Sequence, residues 1–286
     1  MRWNKLKIDN FTFEAGGSLS GIEVVYHTSD RDYQPGDRVV WLCHALTANS
    51  NPVDWWPEMV GKGCYIDPEK DYVVCVNIFA SPYGTTGPRS AFKADDGKVS
   101  GFQSLKDETA KRETMKLFNY TEGLTPLDFP RITVRDMARL FPIVRKYIGI
   151  EKVDLLVGSS IGGFQALEWA ILEPEVIERA AFIATAPRVT PWLGAWMESQ
   201  RMALEADPTF RACESLAGGQ KGLEAARALS LISYRTFEGY NLTQAEQDED
   251  CLFAERVASY ERYQGEKLVK RGFDAYSYYY LLHCVD

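Results

Sequence analysis

The absences in this chain narrow the field before any motif does. No window approaches the roughly 20 uninterrupted apolar residues of a membrane span, because the strand-like runs are closed early by Gly, Asp or Lys. The start, Met1-Arg2-Trp3-Asn4-Lys5, opens no apolar stretch of the secretory type, so neither export nor a membrane partner is expected. Positive charge is short: 32 Lys and Arg face 40 Asp and Glu, a formal net charge of -8. A phosphate backbone has nothing obvious to bind, which excludes nucleic acid as an expected partner. The six cysteines (Cys43, Cys64, Cys75, Cys213, Cys251, Cys284) form no C-x-x-C pair and have no histidine at metal-ligand spacing. Neither a disulfide framework nor a metal site is expected, and reduced thiols in the cytoplasm are the simplest reading.

What is present is a globular composition, 45% apolar and 13% aromatic over 286 residues, enough for one large core or a core with an insertion. Val-rich runs bounded by turn residues predict strands at 11–14, 22–27, 38–42 and 72–78. Apolar residues at helical spacing predict a helix over 134–148, closed by Gly149, and a buried strand follows at 153–157. A helix over 163–172 and a strand over 177–184 continue the alternation, which argues for a right-handed, mostly parallel α/β sheet. Beyond Pro187 no convincing strand appears, and 192–206, 222–234 and 252–268 read as helices. The expected division is therefore a core over 1–186 and a helical insertion over 187–286, with a polar excursion at about 94–125 that carries no chemistry.

The strongest chemical signal is Gly158-Ser159-Ser160-Ile161-Gly162-Gly163, a G-x-S-x-G between a strand and a helix. A nucleophile at a sharp strand-to-helix turn takes a strained backbone conformation and needs small neighbours, which Gly158 and Gly162 provide. The helix N-terminus behind Ser160 offers unpaired N–H groups and a positive dipole end for a developing oxyanion, with the Ile161 amide as one donor. The run 38–42 leads into Cys43-His44-Ala45-Leu46-Thr47, and the Leu46 amide is the expected second donor. His44 tempts as a base, but at a strand end an imidazole more often fixes the turn by hydrogen bonding.

Six segments taken in order carry a resemblance. They are His44-Ala45-Leu46-Thr47, Asp54-Trp55-Trp56, Tyr83-Gly84-Thr85-Thr86-Gly87-Pro88, the stretch from Asp128-Phe129-Pro130-Arg131 to Asp136, the stretch from Gly158 to Trp169, and Tyr263-Gln264-Gly265. Together they make the chain resemble the homoserine O-acetyltransferases of the α/β-hydrolase superfamily. The resemblance implies an α/β-hydrolase fold, a mostly parallel sheet with a helical lid insertion. It implies a ping-pong transfer in methionine biosynthesis, in which an acyl group passes from acyl-CoA, acetyl-CoA first, to Ser160 and then to the hydroxyl of L-homoserine. No bound cofactor is implied, and the helical insertions would pair into a homodimer. The arginine that grips the amino-acid substrate in that family matches Arg227 in Gly222-Leu223-Glu224-Ala225-Ala226-Arg227, and Tyr234 matches in Ile232-Ser233-Tyr234. A guanidinium can hold a carboxylate bidentately and so select an amino acid over a neutral alcohol. Glu198, Arg201 and Glu205 read as exposed-face ion pairs without a role, and Tyr276, Tyr278, Tyr279 and Tyr280 as packing rather than an acyl channel.

The chain also departs from the family. In α/β-hydrolases the acid and the base follow the nucleophile, and only His283 follows Ser160. The family's two further core strands, and the loops that hold the triad Asp and His and a substrate-binding aspartate, are expected to be missing from this sequence, which leaves turnover lost and one sheet edge open. Ser159 and Ile161 stand where Gly and Met are usual, and Phe79-Ala80-Ser81-Pro82 precedes the Tyr83 motif. Two other readings stay open at this level: an esterase or thioesterase that passes the acyl group to water, and a catalytically inactive paralogue. Arg227 separates the first of these from an acyltransferase, since an esterase needs no carboxylate clamp.

Overall fold

The computed structural model describes residues 1–91, 125–248 and 250–285, so nearly all of the polar excursion at 94–125 lies outside the described residues. Six strands form one sheet in the order β1-β2-β4-β3-β5-β6. They are β1 (Arg2–Thr12), β2 (Ser18–Thr28), β3 (Val39–Cys43), β4 (Tyr72–Val76), β5 (Leu155–Ser159) and β6 (Ala180–Ile183). β3, β4, β5 and β6 are mutually parallel, and the β1–β2 hairpin is antiparallel to them through β2. Every residue of β3 and β4 is buried, as expected of strands covered on both faces.

The helices that cover the sheet are α1 (Val134–Ala138), α2 (Leu140–Ile148) and α3 (Ile161–Leu172). Thr133 caps α1 in a reciprocal capping box with Asp136, and Gly149 ends α2 at φ 89°, a left-handed turn that glycine accepts without strain. Trp41 of β3, Phe141 of α2 and Trp169 of α3 lock the layers together with ring centroids 4.7 to 5.8 Å apart. The remaining α-helices among the described residues follow the last strand: α4 (Pro191–Glu205), α5 (Pro208–Ala212), α6 (Gln220–Ser233), α7 (Phe237–Gln244), α8 (Glu255–Lys270) and α9 (Ala275–His283). α9 ties them to the sheet layer, because Tyr280 Oη donates to the Phe129 carbonyl at 2.7 Å and Arg89 donates to the Gly272 carbonyl at 3.0 Å.

Several elements differ from the sequence reading, each for a physical reason. The first two strands are 11 residues each rather than short runs, because β1 alternates outward Trp3, Lys5, Lys7 and Asp9 with inward Arg2, Asn4, Leu6 and Ile8. That pattern has period two but too few apolar residues to stand out. The single helix expected over 134–148 is broken at Arg139. Pro142 lacks an N–H for the Ala138 carbonyl and its ring crowds that group. β5 and β6 are shifted or shortened against 153–157 and 177–184, with Val153 and Ile177 meeting only in an isolated bridge. The helix expected over 252–268 begins at Glu255. Arg201, read as exposed, is 7% exposed, pairs with Glu198 and donates to the Leu282 carbonyl; Glu205 accepts from Tyr279 Oη at 2.7 Å. These charges join α4 to α9 rather than decorating a free face. Tyr276, Tyr278 and Tyr280 are buried in the core, as their packing role required.

Candidate active site

Register places the site. Cys43 of β3 lies opposite Gly158 of β5, and Ser159 lies opposite Ile183 of β6. Residues 44–46 therefore leave the sheet alongside the turn that carries Ser160. That residue sits at φ 56°, ψ -126°, a conformation that costs a non-glycine residue on the order of 1–3 kcal/mol. The strain is held in place by the Ser160 N–H on the Ile183 carbonyl at 3.0 Å and the Gly163 N–H on the Ser160 carbonyl at 2.9 Å. Ser160 itself is exposed.

The glycines around it are obligatory by contact. A Cβ on Gly158 would lie 2.1 Å from the Gly162 carbonyl oxygen, one on Gly162 would lie 2.1 Å from that of Cys43, and one on Gly163 would run into Thr185 at 2.4 Å. This packing draws the start of α3 against the end of β3. Ile161 opens α3, so its N–H has no carbonyl within the helix to receive it. Leu46 is buried on the loop beside it.

His44 is fully buried, with Nδ1 2.9 Å from the Ala45 carbonyl. Burial pushes its pKa down to about 4, so the ring is neutral at neutral pH, and it hydrogen-bonds a turn rather than reaching Ser160. His27 is likewise held down to about 4, chiefly by burial, and faces Ser50 Oγ at 2.9 Å. His283 ends α9 and packs edge-on against Tyr279 at 4.6 Å. No described side chain hydrogen-bonds to Ser160 Oγ.

Arg227 and Tyr234, both on or just beyond α6, are brought together: the guanidinium sits 5.6 Å from the Tyr234 ring centroid. Arg227 is partly exposed, makes a long 3.5 Å contact to Ser230 Oγ and lies against the Tyr278 hydroxyl. Among the described residues it has no carboxylate partner. Buried Tyr278 of α9 lies beside it and donates to Gln200 at 2.7 Å. No hydrogen bond or ring contact joins this pair to Ser160. A cavity of about 400 Å³ beside α3, walled by Phe164, Leu167, Glu168, Arg188 and Val285, does not include Ser160. Sequence reading did not single out Asn77, which faces the His44 ring; its only signal was the unusual 79–82 stretch that follows it.

The chain matches a family model for the alpha/beta hydrolase fold over residues 38–264. It is 36% identical over 281 residues to a homoserine O-acetyltransferase of Chlorobaculum parvum, covering 97% of this chain and 71% of that one. It is 34% identical over 279 residues to one of Nostoc punctiforme, with 96% and 70% coverage. The chain belongs to the homoserine O-acetyltransferase family. Its fold is the α/β-hydrolase fold with a mostly parallel sheet, and it spans about 70% of the length of these relatives. Among solved structures, a homoserine O-acetyltransferase from Bacillus anthracis superposes with a TM-score of 0.77 at 20% identity, covering 99% of this chain and 75% of that one. Esterase E22 superposes with 0.76 at 19% identity, covering 99% and 77%. At these identities the two structures speak for the fold alone. The Ser160 turn and the Arg227 helix both fall inside the matched span of the family model.

Proposed function

We propose that this protein is an O-acyltransferase that moves an acetyl group from acetyl-CoA to the hydroxyl of L-homoserine through an acyl-enzyme on Ser160, a step of methionine biosynthesis. The observation that carries this reading is the strained Ser160 at the head of α3, inside a chain of the homoserine O-acetyltransferase family. Ser160 Oγ attacks the thioester carbonyl, and the carbonyl oxygen gathers negative charge. The Ile161 and Leu46 amides stabilise that charge. Collapse expels the CoA thiolate and leaves the acyl ester, which the homoserine hydroxyl then attacks in the reverse sense. An imidazole must take the Ser160 proton, and His44 and His27 are both engaged elsewhere.

Arg227 supports an amino-acid acceptor over water. A partly buried guanidinium with no carboxylate partner among the described residues is suited to bind that of homoserine, with the Tyr234 ring flanking it. Acyl-CoA and homoserine are thus the small-molecule partners, and no resident cofactor is needed. Phe237, Leu242, Leu252 and Phe253 are exposed on the helical unit and support a homodimer formed through it. No described helix is long and apolar enough to cross a membrane, in keeping with our proposal of a cytoplasmic enzyme. Mass spectrometry after exposure to acetyl-CoA tests the first half-reaction. An acetyl adduct on Ser160, absent in Ser160→Ala, is expected; an adduct that survives the substitution overturns the assignment.

A further inference from the structure

We propose that His44 and Asn77 are positioning residues of the oxyanion loop: a directional hydrogen-bond chain from Ser81 through Asn77 and the His44 ring ends on the Ala45 carbonyl and thereby aims the Leu46 N–H. The inference rests on the reading of Ser160 as acyl carrier and Leu46 as oxyanion donor.

The direction of the chain follows from what each atom can do. A carbonyl only accepts, so the imidazole nitrogen 2.9 Å from the Ala45 oxygen, Nδ1, carries the proton. In the neutral ring Nε2 is then a bare acceptor. Nε2 is buried, and the side chain that faces it is Asn77. The Asn77 Oδ1 already accepts from the Ser81 hydroxyl at 3.0 Å, which leaves Nδ2 as the atom to meet the ring. Nε2 and Nδ2 are both buried and neither makes a hydrogen bond in this structure, so the proposed bond between them would satisfy both. Thr85 fixes Asn77 from behind, donating from Oγ1 to the Asn77 carbonyl at 2.7 Å while accepting from the Val25 N–H at 3.0 Å.

The consequence appears at the far end. A peptide unit is planar and trans, so its C=O and N–H point in opposite directions. The Ala45 carbonyl and the Leu46 N–H belong to one such unit. The carbonyl is held twice, by the imidazole and by the Ala48 N–H at 3.0 Å, which sets the direction of the Leu46 N–H. A donor aligned in advance undergoes no reorganisation when charge develops on the acyl oxygen. Leu46 offers only its backbone to this task, and the side chains that aim it come from the ends of β3 and β4.

The test uses the chain extended with the relatives' C-terminal segment as the parent, with p-nitrophenyl acetate as acyl donor. His44→Leu removes the donor to Ala45, while His44→Asn keeps an N–H as many bonds from Cα as Nδ1. His44→Leu is expected to slow Ser160 acylation about 100-fold with KM unchanged, the effect of losing one oxyanion donor, and His44→Asn to recover most of the rate. Nitrogen-15 NMR should show the Nδ1–H tautomer of His44 from about pH 6 to 8, turning into a tautomer mixture in Asn77→Leu. An Nε2–H tautomer in the parent chain overturns the proposal. So does a His44→Asn chain as slow as His44→Leu when both keep their circular dichroism, since that marks a packing role. If Ser160→Ala releases p-nitrophenol as fast as the parent, the acyl-enzyme reading falls instead, and the tautomer measurement alone decides the hydrogen-bond chain.

Discussion

On the β3 side of Ser160 the backbone is packed so closely that no Cβ can be added at Gly158 or Gly162, and His44, Asn77 and Gln165 are all fully buried. On the β6 side the opposite holds: Phe182 and Ile183 are 43% and 42% exposed, and Ala184 sits at φ 48° in the open. Under the proposed mechanism the contrast separates two halves of the chemistry. The half proposed to stabilise an oxyanion is built from local packing among the described residues. The half that would carry a proton away has no counterpart there. The far edge of the sheet sharpens the point, since β1 is 11 residues long yet carries Lys5 and Lys7 outward, a common guard against edge pairing. β6 has four residues, all apolar, and among the described residues pairs with β5 alone.

The largest expected effect breaks the comparison at its open side. The 286-residue chain should release CoA from acetyl-CoA plus homoserine about a million-fold more slowly than a chain extended with the relatives' C-terminal segment, the typical cost of a missing base. Equal rates in the two would show that the open flank supplies a proton acceptor after all.

Next in size are paired substitutions on the two flanks. Gly162→Ala drives a methyl into the Cys43 carbonyl and should cost about 3 kcal/mol or more in urea unfolding. Ala184→Gly relieves a positive φ where nothing is packed and should gain about 1 kcal/mol. Similar losses at both positions would erase the distinction between the flanks.

The packed flank also carries a pH signature. Unfolded His44 titrates near its ordinary pKa of 6.5, whereas the folded ring is held down to about 4 by burial. Between those values the unfolded chain binds the proton, so stability is full above pH 6.5 and falls as the pH drops toward 4. The loss attributable to His44 is about 3 kcal/mol. It should appear as a pH-dependent difference between the parent and His44→Asn stabilities measured at several pH values, in which any contribution from His27 cancels. A difference that does not change with pH would mean that the ring is not buried neutral.

The smallest effect concerns the edge itself. Phe182→Lys should change stability by less than about 0.5 kcal/mol, because the side chain is largely exposed. Sedimentation should nonetheless show less self-association, since a charge now guards the strand. Unchanged association would place the sticky surface elsewhere, with Phe237 and Leu242 on α7 the next region to alter.

The legible parts of the fold were those whose signal is short in sequence. Val-rich β3 and β4, the glycine stop of α2 and the strand–turn–helix around Ser160 all follow from neighbouring residues. Most of β1 was missed, since only its end was expected at 11–14, because its outward residues are largely charged or polar, and the break at Arg139 because Pro142 acts one turn upstream of itself. Arg201 and Glu205 were misjudged because helical spacing reports neighbours on the same helix and says nothing of α9 across from them.

The sequence by itself determined which serine is strained and which glycines flank it, because a turn between a strand and a helix is specified by adjacent residues. It also determined family membership, through motifs kept in order along the chain. Only the tertiary structure decided that Cys43 would lie opposite Gly158, that Asn77 would face the His44 ring, and that Arg227 would have no carboxylate partner among the described residues. Each of these depends on which strands and helices become neighbours, and a period of two or of 3.6 residues fixes the face an element buries without naming what it is buried against.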